Sequence, residues 1–344
     1  MTTTHSHSNS PDERRERWVK RLTVAATIGM FIVLMMGSTV TNTGSGEGCG
    51  RSWPLCQGKF VPEYAVETAI EFSHRIVTAI EGILIAATAI VAILIRRGNK
   101  EVKIYVGIMV GTLLLQSGLG AAAVMWPQSP QIMAMHFGIS MTCFAAVFLL
   151  TRLLYEPPGA VDPITRQAQS NPPPAWFTYG VWATLAGSIV VAYVGAYMRH
   201  SGNELACYQW PSCNGQLVPD LTSPAGISFT HRFAAALLMI LVYGLTYAAY
   251  RMHQHYPSLF AVFAGASVFI SLQALAGGAV VLSELDLWTT LAHAALMAWL
   301  FVFITDACRQ ILKTRRLLRS EPAPLIPQPA GAVGSQQPAI SIQQ

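Results

Sequence analysis

Eight apolar runs, each long enough to cross a bilayer, constrain this chain more than any other feature. They lie near residues 22–42, 67–95, 104–125, 132–154, 176–198, 226–250, 259–282 and 287–312 of the 344. A bilayer core takes about 20 helical residues to cross. Backbone groups in lipid must pair within their own segment, so each run is expected to be a helix. Charged residues make up 11% of the chain and hydrophobic ones 52%, where soluble domains carry about 25% charged. The expected fold class is all-α, a polytopic membrane protein, and a soluble enzyme is excluded.

The runs repeat. Glu71-Phe72-Ser73-His74-Arg75, opening the second run, returns as Ser228-Phe229-Thr230-His231-Arg232, 157 positions later. His136 and His293 keep that offset, as do Gln116 and Gln273, Gly120 and Gly277, Trp53-Pro54 and Trp210-Pro211, Cys56 and Cys213, Gly58 and Gly215, and Val61-Pro62 and Val218-Pro219. Cys49 and Cys207 stand 158 apart, so one residue has been lost between the paired cysteines. An even number of helices per half gives both halves one orientation, as two tandem four-helix bundles about an axis along the membrane normal. The chain then divides into a polar tail at 1–21, an N-terminal half at 22–154, a Pro-rich linker at 155–175, a C-terminal half at 176–312, and a tail at 313–344 expected to be disordered.

Lys and Arg set the orientation. Arg14, Arg15, Arg17, Lys20 and Arg21, then Arg96, Arg97, Lys100 and Lys103, then Arg152, Arg166 and Arg251, then Arg309, Lys313, Arg315, Arg316 and Arg319 fall on one side. The opposite loops hold only Arg51, Lys59 and Arg199. Both termini are therefore expected in the cytoplasm, with the chain in the cell membrane of a bacterium. The net charge of +5 is spent on topology and implies no nucleic-acid partner. No cleavable signal is visible, and His5 and His7 read as part of a disordered tail.

Four histidines carry the chemistry. His74 and His231 begin the second helix of each half; His136 and His293 lie early in the fourth, at matching depth. Polar residues inside membrane helices are costly and functional. Facing imidazoles in a four-helix bundle suit axial ligation of a haem iron. Arg75 and Arg232 follow the first histidine of each pair, and a guanidinium there either binds a propionate bidentately or snorkels to the interface. Cys49 and Cys56, and Cys207 and Cys213, lie in the outer loops. On an oxidising side each pair can close a disulfide, read as a structural cap before a redox device. Cys143 and Cys308 read as core residues. Glu71 and Glu81 belong to the first half alone, where the second has Ser228 and Leu238. Glu71 stands one turn before His74 on the same face and is the candidate catalytic carboxylate, with helix capping or a pair with Arg75 as its alternative. Glu81, about three turns deeper than Glu71, reads as an interhelical hydrogen bond or a proton relay. Asp306 is expected near the cytoplasmic surface, and Trp126 and Trp288 as interfacial anchors.

Over about residues 20–312 this ordered set resembles the haem A synthase family. The resemblance implies oxidation of the C8 methyl of haem O to the formyl of haem A. It implies substrate haem on His74 and His136, and a haem b cofactor on His231 and His293. It also implies a haem O synthase as donor and an electron-transfer partner; the surrounding lipid is a further partner, and the sequence leaves a homo-oligomer open. The half with the extra carboxylate is expected to do the chemistry, and the other to pass electrons. Two other functions fit paired histidines: a di-haem b quinone oxidoreductase, and a haem transporter, which the lack of broken-helix prolines weakens.

Overall fold

The computed structural model describes residues 11–60, 65–126, 129–156 and 173–320. Val61-Pro62, residues 157–172 of the linker with Arg166, His5 and His7, and the tail beyond Ser320 lie outside the described residues. Eight helices are long and apolar enough to cross a membrane among the described residues: α1 (Pro11–Asn42), α2 (Val66–Ile95), α3 (Lys100–Met125), α4 (Pro130–Tyr155), α5 (Ala175–His200), α6 (Pro224–Arg251), α7 (Pro257–Leu282) and α8 (Leu287–Ser320). No strand occurs among them; two isolated bridges sit in the outer loops.

Helix starts follow local chemistry. The Asn99 side chain accepts from the amides of Glu101 and Val102, and Ser129 and Ser223 cap α4 and α6 ahead of Pro130 and Pro224. A proline at the first helical position loses no hydrogen bond. Two boundaries differ from expectation. The first helix begins at Pro11, not near residue 22, and the last continues to Ser320, past 312 into the segment expected to be disordered. Arg and Lys are good helix formers, and ion pairs hold both extensions: Glu16 with Arg96 at 3.0 Å, and Arg316 with Glu101 at 2.9 Å.

Contacts run in cyclic order within each half. The helix α1 packs on α2 and α4, and α3 closes the ring; α5 packs on α6 and α8, and α7 closes the second ring. Between halves, α4 meets α5 and α8, and α1 meets α8. Aromatic rings fill this seam: Trp299 packs edge-on against Phe144 and Phe148, at centroid distances of 5.5 and 5.7 Å, and touches Phe31 and Phe269.

Charged residues latch the seam where α4 ends. Arg309 forks onto Glu156 at 2.7 and 2.9 Å, Lys313 adds a bond at 3.1 Å, and Arg152 pairs with Asp306. Asp306 is 1% exposed, buried among these charged residues at the end of α4. Burial alone would raise the Glu156 carboxyl, but Arg309 and Lys313 outweigh it and hold the pKa below the usual carboxylate value. At the opposite end Arg199 of α5 donates to the Asn42 side chain at 3.0 Å and pairs with Glu204.

Candidate haem-binding site

The loop after α1 and the loop after α5 are each a small closed device. Cys49 pairs with Cys56, and Cys207 with Cys213, at Cα separations of 4.5 and 4.7 Å. Cys56 and Lys59 exchange backbone bonds around Gln57 and Gly58, both at positive φ. Two consecutive left-handed residues define the hairpin turn that favours glycine, so Gly58 and Gly215 are fixed by backbone geometry. Asn214 repeats Gln57 in the second half. Cys143 and Cys308 are free and buried, and Trp126 and Trp288 are exposed.

Arginine docks each loop on its helix. Nη1 of Arg75 donates to the carbonyls of Ser52 and Leu55 at 2.8 and 2.9 Å. Nη1 of Arg232 donates to Gln209 and Ser212, the counterparts 157 positions on, at 2.6 and 2.8 Å. The second nitrogen separates the halves. Nη2 of Arg232 donates directly to the Cys207 carbonyl at 2.6 Å. Nη2 of Arg75 instead meets Oε1 of Glu71 at 2.5 Å, while Oε2 of Glu71 accepts the Cys49 amide at 2.7 Å. Glu71, 4% exposed, is thus a bridge between arginine and loop. Ser228 in its place donates its hydroxyl to the Asn203 carbonyl at 2.7 Å. A guanidinium has five N–H donors; these bonds use three in each half.

The four histidines share most of their environment, though His293 alone accepts a bond on Nε2, from Nε2 of Gln273 at 3.1 Å. Every ring is half-buried, and every Nδ1 is buried without a partner among the described residues. Each ring rests against a glycine of a neighbouring helix. A Cβ added at Gly37, Gly120 or Gly277 would lie 3.3, 3.3 or 3.1 Å from Cε1 of His74, His136 or His293; at Gly195 it would lie 2.6 Å from that of His231. A larger residue would push each ring aside, by a few tenths of an ångström at three of these sites and further at Gly195. His74 lies within electrostatic range of His136, and His231 of His293. No group of three or more His, Cys, Asp or Glu able to hold a bare metal ion occurs among the described residues. Buried polar atoms without partners need an explanation. Paired imidazoles set in glycine cradles fit a flat macrocycle ligated from both faces.

Sequence reasoning found the histidines and matched Gly120 to Gly277. It missed Gly37 and Gly195, whose signal was the 158 offset they share with the cysteines Cys49 and Cys207. It also missed His200, which ends α5 within electrostatic range of His136; no repeat marks it. Oε1 of Glu81 is buried without a hydrogen-bond partner among the described residues, so the interhelical bond expected of Glu81 is not formed by that atom.

The cytochrome oxidase assembly protein family matches residues 20–305. A "Heme A synthase" of Symbiobacterium thermophilum is 35% identical over 302 residues, covering 87% of this chain and 97% of that protein. Proteins of the same name from Halalkalibacterium halodurans and Bacillus licheniformis are each 38% identical, covering 83% and 87% of this chain and 94% and 97% of their own.

Proposed function

This chain belongs to the cytochrome oxidase assembly protein family COX15-CtaA, and it is a haem A synthase, an enzyme that converts haem O to haem A; from that premise we propose how its two halves divide the work. The first half receives haem O on His74 and His136. The second holds haem b on His231 and His293, a group that supplies one-electron transfer when bound. Glu71 is the acid–base group beside the substrate. Its bonds to Arg75 and the Cys49 amide orient the carboxylate one turn from His74, which is the preorganisation such a role needs. Arg75 and Arg232 offer their two unused donors to propionates. A haem O synthase is the donor, and a separate membrane protein exchanges electrons. Both termini face the cytoplasm, so the two histidine pairs lie towards the outer leaflet of a bacterial cell membrane.

One observation carries the division. The halves share histidines, glycine cradles and arginine-docked loops, while a carboxylate bridges the arginine and the loop in the first half alone. The test is pigment extraction after expression with and without a source of haem O. Haem A appearing only with that source supports the assignment. Unmodified haem in both cases would point to an electron carrier.

A further inference from the structure

Glu81 is used by none of the chemistry above, yet it is the most costly residue of the first half. It is 3% exposed, its Oε1 has no partner, and it stands two helical turns below His74 on the same face of α2. Seven residues further along that face is Thr88, 0% exposed, whose hydroxyl also lacks a partner among the described residues. Other buried hydroxyls here bond back to their own helix, as Ser140, Thr184 and Ser188 do. The counterparts on α6 are Leu238 and Leu245, both buried. The polar face therefore exists in one half only.

The space for the carboxyl is built in. A Cβ at Gly29 of α1 would collide with the Glu81 carboxyl, and Gly187 stands against Leu238 in the same way, with a Cβ 3.2 Å from Cδ1. The same glycine clearance thus takes a carboxyl in one half and a leucine in the other. Cys143 of α4 lies within electrostatic range of Glu81. Carboxyls inside membrane helices are rare and mark functional sites, proton relays among them.

We propose that Glu81 and Thr88 form a proton path that connects the first-half site, along α2, to the end of the helix where Arg96 lies. The proposal rests on the assignment of substrate to the first half. Turning a methyl into a formyl removes two C–H bonds, so the site must trade protons with its surroundings whichever molecule supplies the oxygen. Glu81 takes a proton from one side as it gives one to the other, and ends each cycle unchanged. It acts at a distance from the reacting carbon and is a relay, not a catalytic residue.

The test uses full-length protein in nanodiscs. The infrared band of Glu81 is assigned by its loss in Glu81→Gln, and its shift is followed on transfer to D2O. Exchange within the mixing time is expected, slowed in Thr88→Val. A band that never shifts in the wild type overturns the path, because the carboxyl is then sealed. In the same preparations Glu81→Leu, which copies the second half, should keep haem b and bound haem O while haem A formation falls about 10²-fold, the low end of what a proton-transfer group supplies. Wild-type turnover in Glu81→Leu overturns the proposal. So does loss of bound haem O with unaltered exchange in Thr88→Val, which would make Glu81 a residue of pocket shape. If the wild type makes no haem A, the functional assignment fails while the exchange result still stands. If Glu81→Leu loses haem b through misfolding, the exchange in Thr88→Val decides.

Discussion

The two halves differ least where they bind and most beneath that level. Arg75 and Arg232 hold counterpart carbonyls of counterpart loops, and all four histidines sit on glycine. Two helical turns further along, Glu81 and Thr88 face Leu238 and Leu245, and Thr112 and Cys143 correspond to Phe269 and Leu300. Duplication kept the ligand geometry because a shift of a few tenths of an ångström at a cradle glycine displaces the imidazole. The interior beneath was free to diverge, since apolar replacement of a polar group costs little once both partners go. The half that stayed polar is the one assigned the substrate in the proposed division.

The strongest way to break this comparison is to remove ligands one half at a time. His231→Ala and His293→Ala are expected to abolish the b-type absorption spectrum of the purified protein. His74→Ala and His136→Ala should abolish haem A while leaving most of that spectrum. Identical spectra from all four would erase the division.

Next in size is the bridge. Glu71→Gln keeps an acceptor for the Cys49 amide but loses the charge facing Arg75. Haem A formation should fall about 10²–10⁴-fold with haem b retained, as for loss of an acid or base. Ser228→Ala removes one hydroxyl bond worth about 0.5–1.5 kcal/mol and should leave turnover nearly intact. Equal activity losses in the two variants would make Glu71 a loop anchor.

The cradles should respond in graded fashion. In Gly195→Ala the new Cβ falls 2.6 Å from His231, against 3.3 Å from His74 in Gly37→Ala. The first should lower haem b content clearly and the second should only weaken substrate retention, both read from pigment per protein.

The smallest effect belongs to the latch. Glu156 has a depressed pKa when folded, so its contribution is full above the ordinary carboxylate value of 4.5 and is lost as pH falls through the lower folded value. The thermal midpoint in detergent should drop more steeply on acidification below about pH 4.5 in the wild type than in Glu156→Gln. Parallel curves would mean the pair contributes nothing.

Much of this was legible in the sequence. Apolar length fixes the helices, and the 157-residue offset pairs the histidines. The ends were less legible. Residues 11–21 and 313–320 are charged, which reads as tail, yet tertiary ion pairs from Arg96 and Glu101 keep them helical. The cradle glycines Gly37 and Gly195 were hidden since an isolated glycine in an apolar helix has many uses, and only packing shows which ring it clears. Half of the Glu71 bridge was legible, since the pair with Arg75 was among its expected roles; the other half was hidden, because that partner is the backbone of Cys49 and backbone has no sequence signature.

The seam between the halves is tied at both ends, by Arg309, Lys313 and Arg152 where α4 stops and by Arg199 where α1 stops. A rocking mechanism opens one end as the other shuts, and two latches on one hinge oppose it. On the proposed division a porphyrin is then expected to enter sideways between the helices of one half, and the gap between the two histidine pairs to hold steady, leaving electron flow between them to the potentials of the two sites and to proton supply.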